Sequence, residues 1–188
     1  MKALILNGLA KEDVTLYKMI HDELEDMGWE VNDFYLQDRK IAPCQGCFEC
    51  WIKTPGICLI DDDGREVAKK AVQSGLMVFL SPVTFGGYSS DLKRAVDRLL
   101  PILLPFFMKI GGEYHHRLRY KRYPRLLGIG VSAQPDEESE NIFKTLVARN
   151  AISFYNASNA AGVVGKDYAP EKKREKIETL LARVGVSK

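Results

Sequence analysis

Short apolar runs alternate along the chain with amphipathic stretches of helical period. Lys2–Asn7 reads as a buried strand, and Val14, Tyr17, Ile20, Leu24 and Met27 then recur at helical spacing until Gly28 ends that helix. Glu30–Tyr35 alternates as a strand does. Residues 63–74 predict a helix that stops near Gly75, and 76–80 a wholly apolar central strand closed by Ser81-Pro82. Residues 90–100 set Leu92, Val96 and Leu99 on one helical face, with Ser90 the expected N-cap. Residues 111–125 are polar and aromatic and are expected to be irregular. Residues 126–132 make a fourth strand, and 136–150 a helix whose Glu137 and Glu138 suit its positive N-terminal end. A weaker strand lies within 151–164, and Ile177, Leu180, Leu181 and Val184 mark a last helix.

Five strands alternating with helices specify an α/β fold, a doubly wound parallel sheet with helices on both faces. Ligands in such sheets bind where loops leave the carboxyl ends of the strands, beside the switch in strand order. Those loops begin near Asn7, Ser81 and Ser132, and the loop after the second strand is expected on the same rim. The longest apolar run, 99–108, is half a membrane span and holds Pro101 and Pro105. It is expected to be the buried end of a helix plus an apolar loop, with a subunit interface or pocket lid as the functional alternative.

Composition narrows the classes. At 188 residues and 46% hydrophobic, one sizeable core and a single domain spanning 1–188 are expected. With 27 Lys and Arg against 25 Asp and Glu, the net charge of +2 offers no general reason to expect nucleic acid or a membrane surface as partner. The first apolar stretch is too short for a signal peptide, so a cytoplasmic location with reduced thiols is expected.

All four cysteines fall in one loop, PCQGCFECWIKTPGICLIDDDG, spaced C-x2-C-x2-C-x7-C at Cys44, Cys47, Cys50 and Cys58. Two C-x2-C steps present three thiolates to one centre and a fourth returns after a short excursion, as iron–sulfur clusters require. Tetrahedral zinc, a dithiol exchange pair and plain packing are the alternatives on spacing alone. A second stretch, SPVTFGGYSS, follows the central strand and opens a helix. Its free backbone amides and two glycines suit a polar aromatic ring such as isoalloxazine as well as they suit an ordinary strand-to-helix turn.

SPVTFGGYSSDLKRAVDR together with PCQGCFECWIKTPGICLIDDD resembles the flavodoxin-like NAD(P)H-dependent FMN reductases, in particular the iron–sulfur flavoprotein branch. The resemblance runs from the first strand to about Gly130. It implies a flavodoxin-like five-stranded sheet with FMN at the rim, the ring lying against Ser81, Pro82, Val83, Thr84, Phe85 and Gly86. It also implies a [4Fe–4S] cluster on Cys44, Cys47, Cys50 and Cys58, and NAD(P)H or a small ferredoxin-type carrier protein as electron donor. A homodimer or homotetramer, in which a neighbouring subunit helps to cover the flavin, is implied too. The first loop departs from the family's Ser/Arg/Asn/Thr pattern and reads Asn7-Gly8-Leu9-Ala10-Lys11-Glu12-Asp13-Val14-Thr15. Gly8, Lys11, Thr15 and the helix N-terminus are its candidates for the FMN phosphate, with Glu12 and Asp13 bringing opposing charge.

Other signals point to structure. Gly128-Ile129-Gly130 lies within a strand rather than after one, so close sheet packing is the expected role. Asp61-Asp62-Asp63-Gly64 lacks a calcium loop's alternation and suits helix capping. His115-His116 is expected to be a solvated pair. The basic, aromatic run 117–125 is expected to be a solvated loop or subunit contact, with the phosphates of NAD(P)H, or a polyanion such as nucleic acid, as the functional alternatives. The function expected is an FMN-dependent oxidoreductase passing electrons from NAD(P)H or a ferredoxin-type donor to an unidentified acceptor. A non-enzymatic flavodoxin-like electron carrier and a cysteine-based redox sensor are the alternatives.

Overall fold

A computed structural model describes residues 1–155 and 158–186, the side chain of Glu12 excepted. Five parallel strands form the main sheet: β1 (Lys2–Asn7), β2 (Glu30–Tyr35), β3 (Leu76–Pro82), β6 (Arg125–Ser132) and β7 (Asn159–Gly165), in the order β2-β1-β3-β6-β7. This is the flavodoxin-like order, with its switch point between β1 and β3. The helices are α1 (Val14–Asp26), α2 (Glu49–Ile52), α3 (Asp63–Gln73), α4 (Ser90–Asp97), α5 (Glu137–Ser153) and α6 (Pro170–Arg183).

Strand alternation sorts the core into two layers. Ala3 and Ile5 of β1 face Leu16, Ile20 and Leu24 of α1 and Ile177, Leu180 and Leu181 of α6. Leu4 and Leu6 face Val67 and Ala71 of α3, Leu92 and Ala95 of α4, and Phe143 and Val147 of α5. The two glycines of β6 serve packing, as expected. A Cβ on Gly128 would stand 2.4 Å from Val147 Cγ2, and one on Gly130 would stand 2.5 Å from Val83 Cγ2.

The region after α4 differs from expectation. Residues 103–118 form a separate antiparallel hairpin, β4 (Leu103–Ile110) and β5 (Glu113–Leu118). Ile110 pairs directly with Glu113 across Gly111-Gly112, both at positive φ (55° and 92°). That is the two-residue loop whose backbone twist matches paired strands. The Gly-Gly pair was the local signal for it. The apolar run therefore continues past the helix end into a strand, leaving Phe106 and Phe107 exposed. The histidines are not a solvated pair. The His116 ring packs against Phe107 (4.4 Å) and Trp51 (4.9 Å), with Nδ1 3.0 Å from Leu104 O. His115 lies 3.2 Å from Glu113. The basic run closes the hairpin base, where Arg119 donates to Pro101 O (3.0 Å) and Tyr123 to Ile102 O. No helix among the described residues is long and apolar enough to cross a membrane.

Candidate functional site

Three loops meet at the carboxyl end of the sheet. The first leaves β1, where Asn7 Oδ1 accepts from Leu9 N–H (3.0 Å) and Gly8 N–H donates to Leu80 O (2.7 Å). Gly8 is needed for this contact, because a Cβ there would stand 2.8 Å from Ser89 Oγ. The loop that leaves β3 is anchored by buried Ser81, whose hydroxyl accepts from Ser89 N–H (2.8 Å) and donates to Pro82 O (2.8 Å). Thr84 and Gly87 then exchange two backbone hydrogen bonds (3.0 and 2.8 Å). This tight turn puts Phe85 and Gly86 at positive φ (49° and 74°) and leaves the Phe85 side chain fully exposed. A non-glycine residue in that conformation is uncommon and marks a local constraint. Ser89, not the expected Ser90, caps α4, accepting from Leu92 N–H at 3.3 Å.

The phosphate candidates are placed less uniformly. Gly8 is buried in the turn, while Lys11 and Thr15 are exposed on the short 3-10 turn Lys11–Asp13 and the first turn of α1. Lys11 pairs with Asp38 (2.7 Å). Asp13 is paired with Lys166 from the end of β7 (3.1 Å), which offsets its negative charge at the rim. Asp13, Thr15 and Lys166 line one cavity of about 190 Å³ with Lys173.

The cysteine loop packs against the C-terminal end of α4. Cys44, Cys47, Cys50 and Cys58 all line a single small cavity of about 20 Å³. Its other walls include Asp97, Arg98, Leu100 and Pro101, at and just beyond the C-terminal end of α4. The cavity and the Thr84–Gly87 turn therefore flank opposite ends of the eight-residue α4, a helix about 12 Å long. Several anchors hold the loop there. Trp51 Nε1–H donates to Leu103 O (3.0 Å), the Trp51 ring stacks on Phe48 (5.3 Å), and Gly56 N–H donates to Cys50 O (2.9 Å). Phe48 adopts a left-handed conformation (φ 57°) just before α2, which turns the chain between Cys47 and Cys50.

Cys50 is buried and Cys58 half-buried, whereas Cys44 and Cys47 are exposed. Burial pushes the Cys50 thiol upward, and the nearby Cys58, Cys44 and Cys47 thiols add to the shift. Among the described residues, no three cysteine sulfurs lie within 4.8 Å of one another, although all four share the cavity.

Arg98 and Asp62 are functional candidates that the sequence pattern did not single out. Asp62 Oδ2 accepts from Arg98 Nη1 (2.8 Å) and Ala42 N–H (2.8 Å), and Oδ1 from Arg98 Nη2 (2.7 Å) and Gly64 N–H (3.0 Å). Asp62 is also the N-cap of α3, the role expected of the acidic run. Burial alone would raise its carboxyl, but the Arg98 guanidinium and the two amides hold it below the ordinary range. The signal for Arg98 was a cation at helical spacing among the inward positions Leu92 and Ala95 of α4 and Leu99 just beyond it. Such a placement demands an acceptor from elsewhere in the chain.

Residues 1–120 match the family model for NADPH-dependent FMN reductases, and the chain belongs to that family. An iron–sulfur flavoprotein from Methanocaldococcus jannaschii is 32% identical over 117 residues, covering 60% of this chain and 60% of that protein. Another, from Archaeoglobus fulgidus, is 32% identical over 104 residues, covering 54% of this chain and 46% of the relative. The chain spans about half the length of the curated relatives it matches. Among solved structures, an FMN-dependent NADH-azoreductase from Bacillus anthracis in complex with FMN superposes with a TM-score of 0.65 at 16% identity, covering 97% of this chain and 98% of that one. An NAD(P)H:quinone oxidoreductase from Methanothermobacter marburgensis gives 0.58 at 14% identity, covering 98% and 94%. At these identities the structures support the shared fold, in keeping with the flavodoxin-like strand order.

Proposed function

We propose that this chain is an FMN-dependent oxidoreductase of the iron–sulfur flavoprotein type, a single flavodoxin-like domain that takes electrons from NAD(P)H or a small electron-carrier protein. The observation that carries the reading is the convergence of four cysteines on one cavity within an FMN reductase fold. The rim leaves room for a flavin: the Thr84–Gly87 turn leaves Phe85 exposed while Gly86 is buried against Ile142, and Gly8 keeps the β1 loop close against Ser89. In this reading Ser81, Pro82, Val83, Thr84, Phe85 and Gly86 border the ring. Gly8, Lys11 and Thr15 serve the phosphate, and the Lys166–Asp13 pair keeps that region from being net acidic.

The cysteine donor set fits an iron–sulfur cluster better than a single zinc ion. Tetrahedral zinc with Zn–S bonds near 2.3 Å places its sulfurs about 3.8 Å apart. The thiols here are not drawn to that spacing: among the described residues, no three of them lie within 4.8 Å of one another. Cys44, Cys47, Cys50 and Cys58 would hold the cluster, and Trp51 and Asp62 fix the loop that presents them. When bound, FMN supplies two-electron hydride acceptance with stepwise release, and the cluster single-electron transfer. The chain's own part is to orient the flavin ring at one end of α4 and the thiols at the other. A cytoplasmic location, which keeps the thiols reduced, and a homodimer or homotetramer complete the reading.

An anaerobic absorbance spectrum of the purified chain, with flavin, iron, sulfide and zinc quantified on the same sample, tests it. Flavin bands over a broad dithionite-bleached absorbance, with about four irons and four sulfides per chain, are expected. Zinc without flavin overturns the proposal.

A further inference from the structure

Arg98 is only 1% exposed, a charged side chain almost wholly withdrawn from solvent. Its hydrogen bonds join the two ends of the cysteine loop. Nη1 donates to Ala42 O (2.9 Å), just before Cys44, and Nη2 to Ile60 O (3.2 Å), just after Cys58. Asp62 takes the remaining two, as a bidentate carboxylate. The Nε–H is left with no partner, although it is buried. Asp97, at the same cavity, is committed to Lys93 (2.5 and 2.6 Å) and does not compete for the guanidinium.

A buried donor left unmatched costs free energy, so it calls for an acceptor at that position, from a bound group or a water. The guanidinium lies beside the Cys58 thiol and shares its cavity. A neutral thiol is a weak acceptor; a thiolate or a metal-bound sulfur is a strong one. Asp62 neutralises the guanidinium from outside the cavity, while Arg98 itself lines it. The cation is therefore the partner nearer the sulfurs.

We infer that Arg98 is a positioning residue of the four-cysteine centre, tying both ends of the loop and giving the sulfur-ligated group there its buried positive charge and one N–H donor. This rests on the cluster reading above. Net charge and hydrogen bonds to sulfur are principal determinants of such a centre's reduction potential. Withdrawing the cation makes an added electron less favourable, so the potential must fall.

The test compares wild type, Arg98→Lys, Arg98→Met and the double variant Asp62→Leu/Arg98→Met, which leaves no unpaired buried charge. Each full chain is reconstituted anaerobically with ferrous iron and sulfide. Iron per chain is measured first, then the midpoint potential by dye-mediated titration. Arg98→Lys, which keeps the charge but not the two-pronged bonds, is expected to hold the potential near wild type while lowering iron per chain. Arg98→Met, and the double variant should the single one not fold, are expected to shift the potential negative or to lose iron at equal far-ultraviolet circular dichroism. Wild-type iron content with an unshifted potential in either methionine variant overturns the role of Arg98 and leaves the cluster reading standing. A wild-type chain that takes up neither iron nor cobalt(II), the latter read by thiolate charge-transfer absorbance, overturns both.

Discussion

Replacing Asp62 by Ala removes four hydrogen bonds at once and leaves the Arg98 guanidinium buried without its carboxylate. Breaking one side of a buried ion pair costs about 3–5 kcal/mol, mainly because the remaining charge is uncompensated. The lost N-cap of α3, about 1 kcal/mol by itself, falls largely within that figure, since the same oxygens serve both roles. A loss of about 3–5 kcal/mol lowers the melting temperature of a chain this size by roughly 6–20 °C. Urea unfolding of the cofactor-free chain, followed by circular dichroism at constant m-value, measures it. The double variant Asp62→Leu/Arg98→Met should recover most of the loss, because no unpaired charge remains. The pH dependence has a definite sign. The folded Asp62 carboxyl is held below its ordinary value, so its contribution is fully present above about pH 3.9 and is lost as pH falls through the folded value. A loss below about 1 kcal/mol, or a double variant as damaged as the single one, refutes the reasoning that the carboxylate compensates a buried charge.

Further outcomes follow from the same geometry. Cys47→Ser and Cys58→Ser should each abolish a stable iron centre while leaving flavin content unchanged, since α4 separates the two sites; flavin lost in parallel with iron would contradict that separation. Lys166→Ala leaves the Asp13 carboxylate unpaired at the rim and should weaken FMN roughly fivefold, the size of a solvent-exposed pair near 1 kcal/mol. Riboflavin, which lacks the phosphate, should bind unchanged in fluorescence titration, and an equal effect on both ligands would remove the phosphate from that loop. Gly128→Ala forces a Cβ to within 2.4 Å of Val147 Cγ2 and should cost about 1–3 kcal/mol in urea unfolding. Trp51→Phe deletes the indole bond to Leu103 O and should cost about 0.5–1.5 kcal/mol, with the exposed Cys44 and Cys47 alkylated faster as the loop loosens.

What this sequence determined unaided are the properties carried by local period and local motif. The five strands and their helices were legible because burial on both faces demands continuous apolar runs such as 76–80, and burial on one face demands helical spacing such as Ile20 and Leu24, although the buried face of α1 begins at Leu16 rather than at Val14 or Tyr17. The four cysteines were legible as one chemical unit because their spacing is short. The hairpin β4–β5 is not legible from period, because its aromatic and charged residues lack clean alternation, although Gly111-Gly112 marks its turn. Tertiary structure alone decided what the cysteines face. Asp62 and Arg98 are 36 positions apart and belong to different helices, so no local pattern pairs them. They meet because the C-terminal end of α4 packs behind the loop that α3 begins. A guanidinium buried there must find its carboxylate in space rather than in sequence, and that requirement brings the thiols, the cation and the helix cap to one cavity.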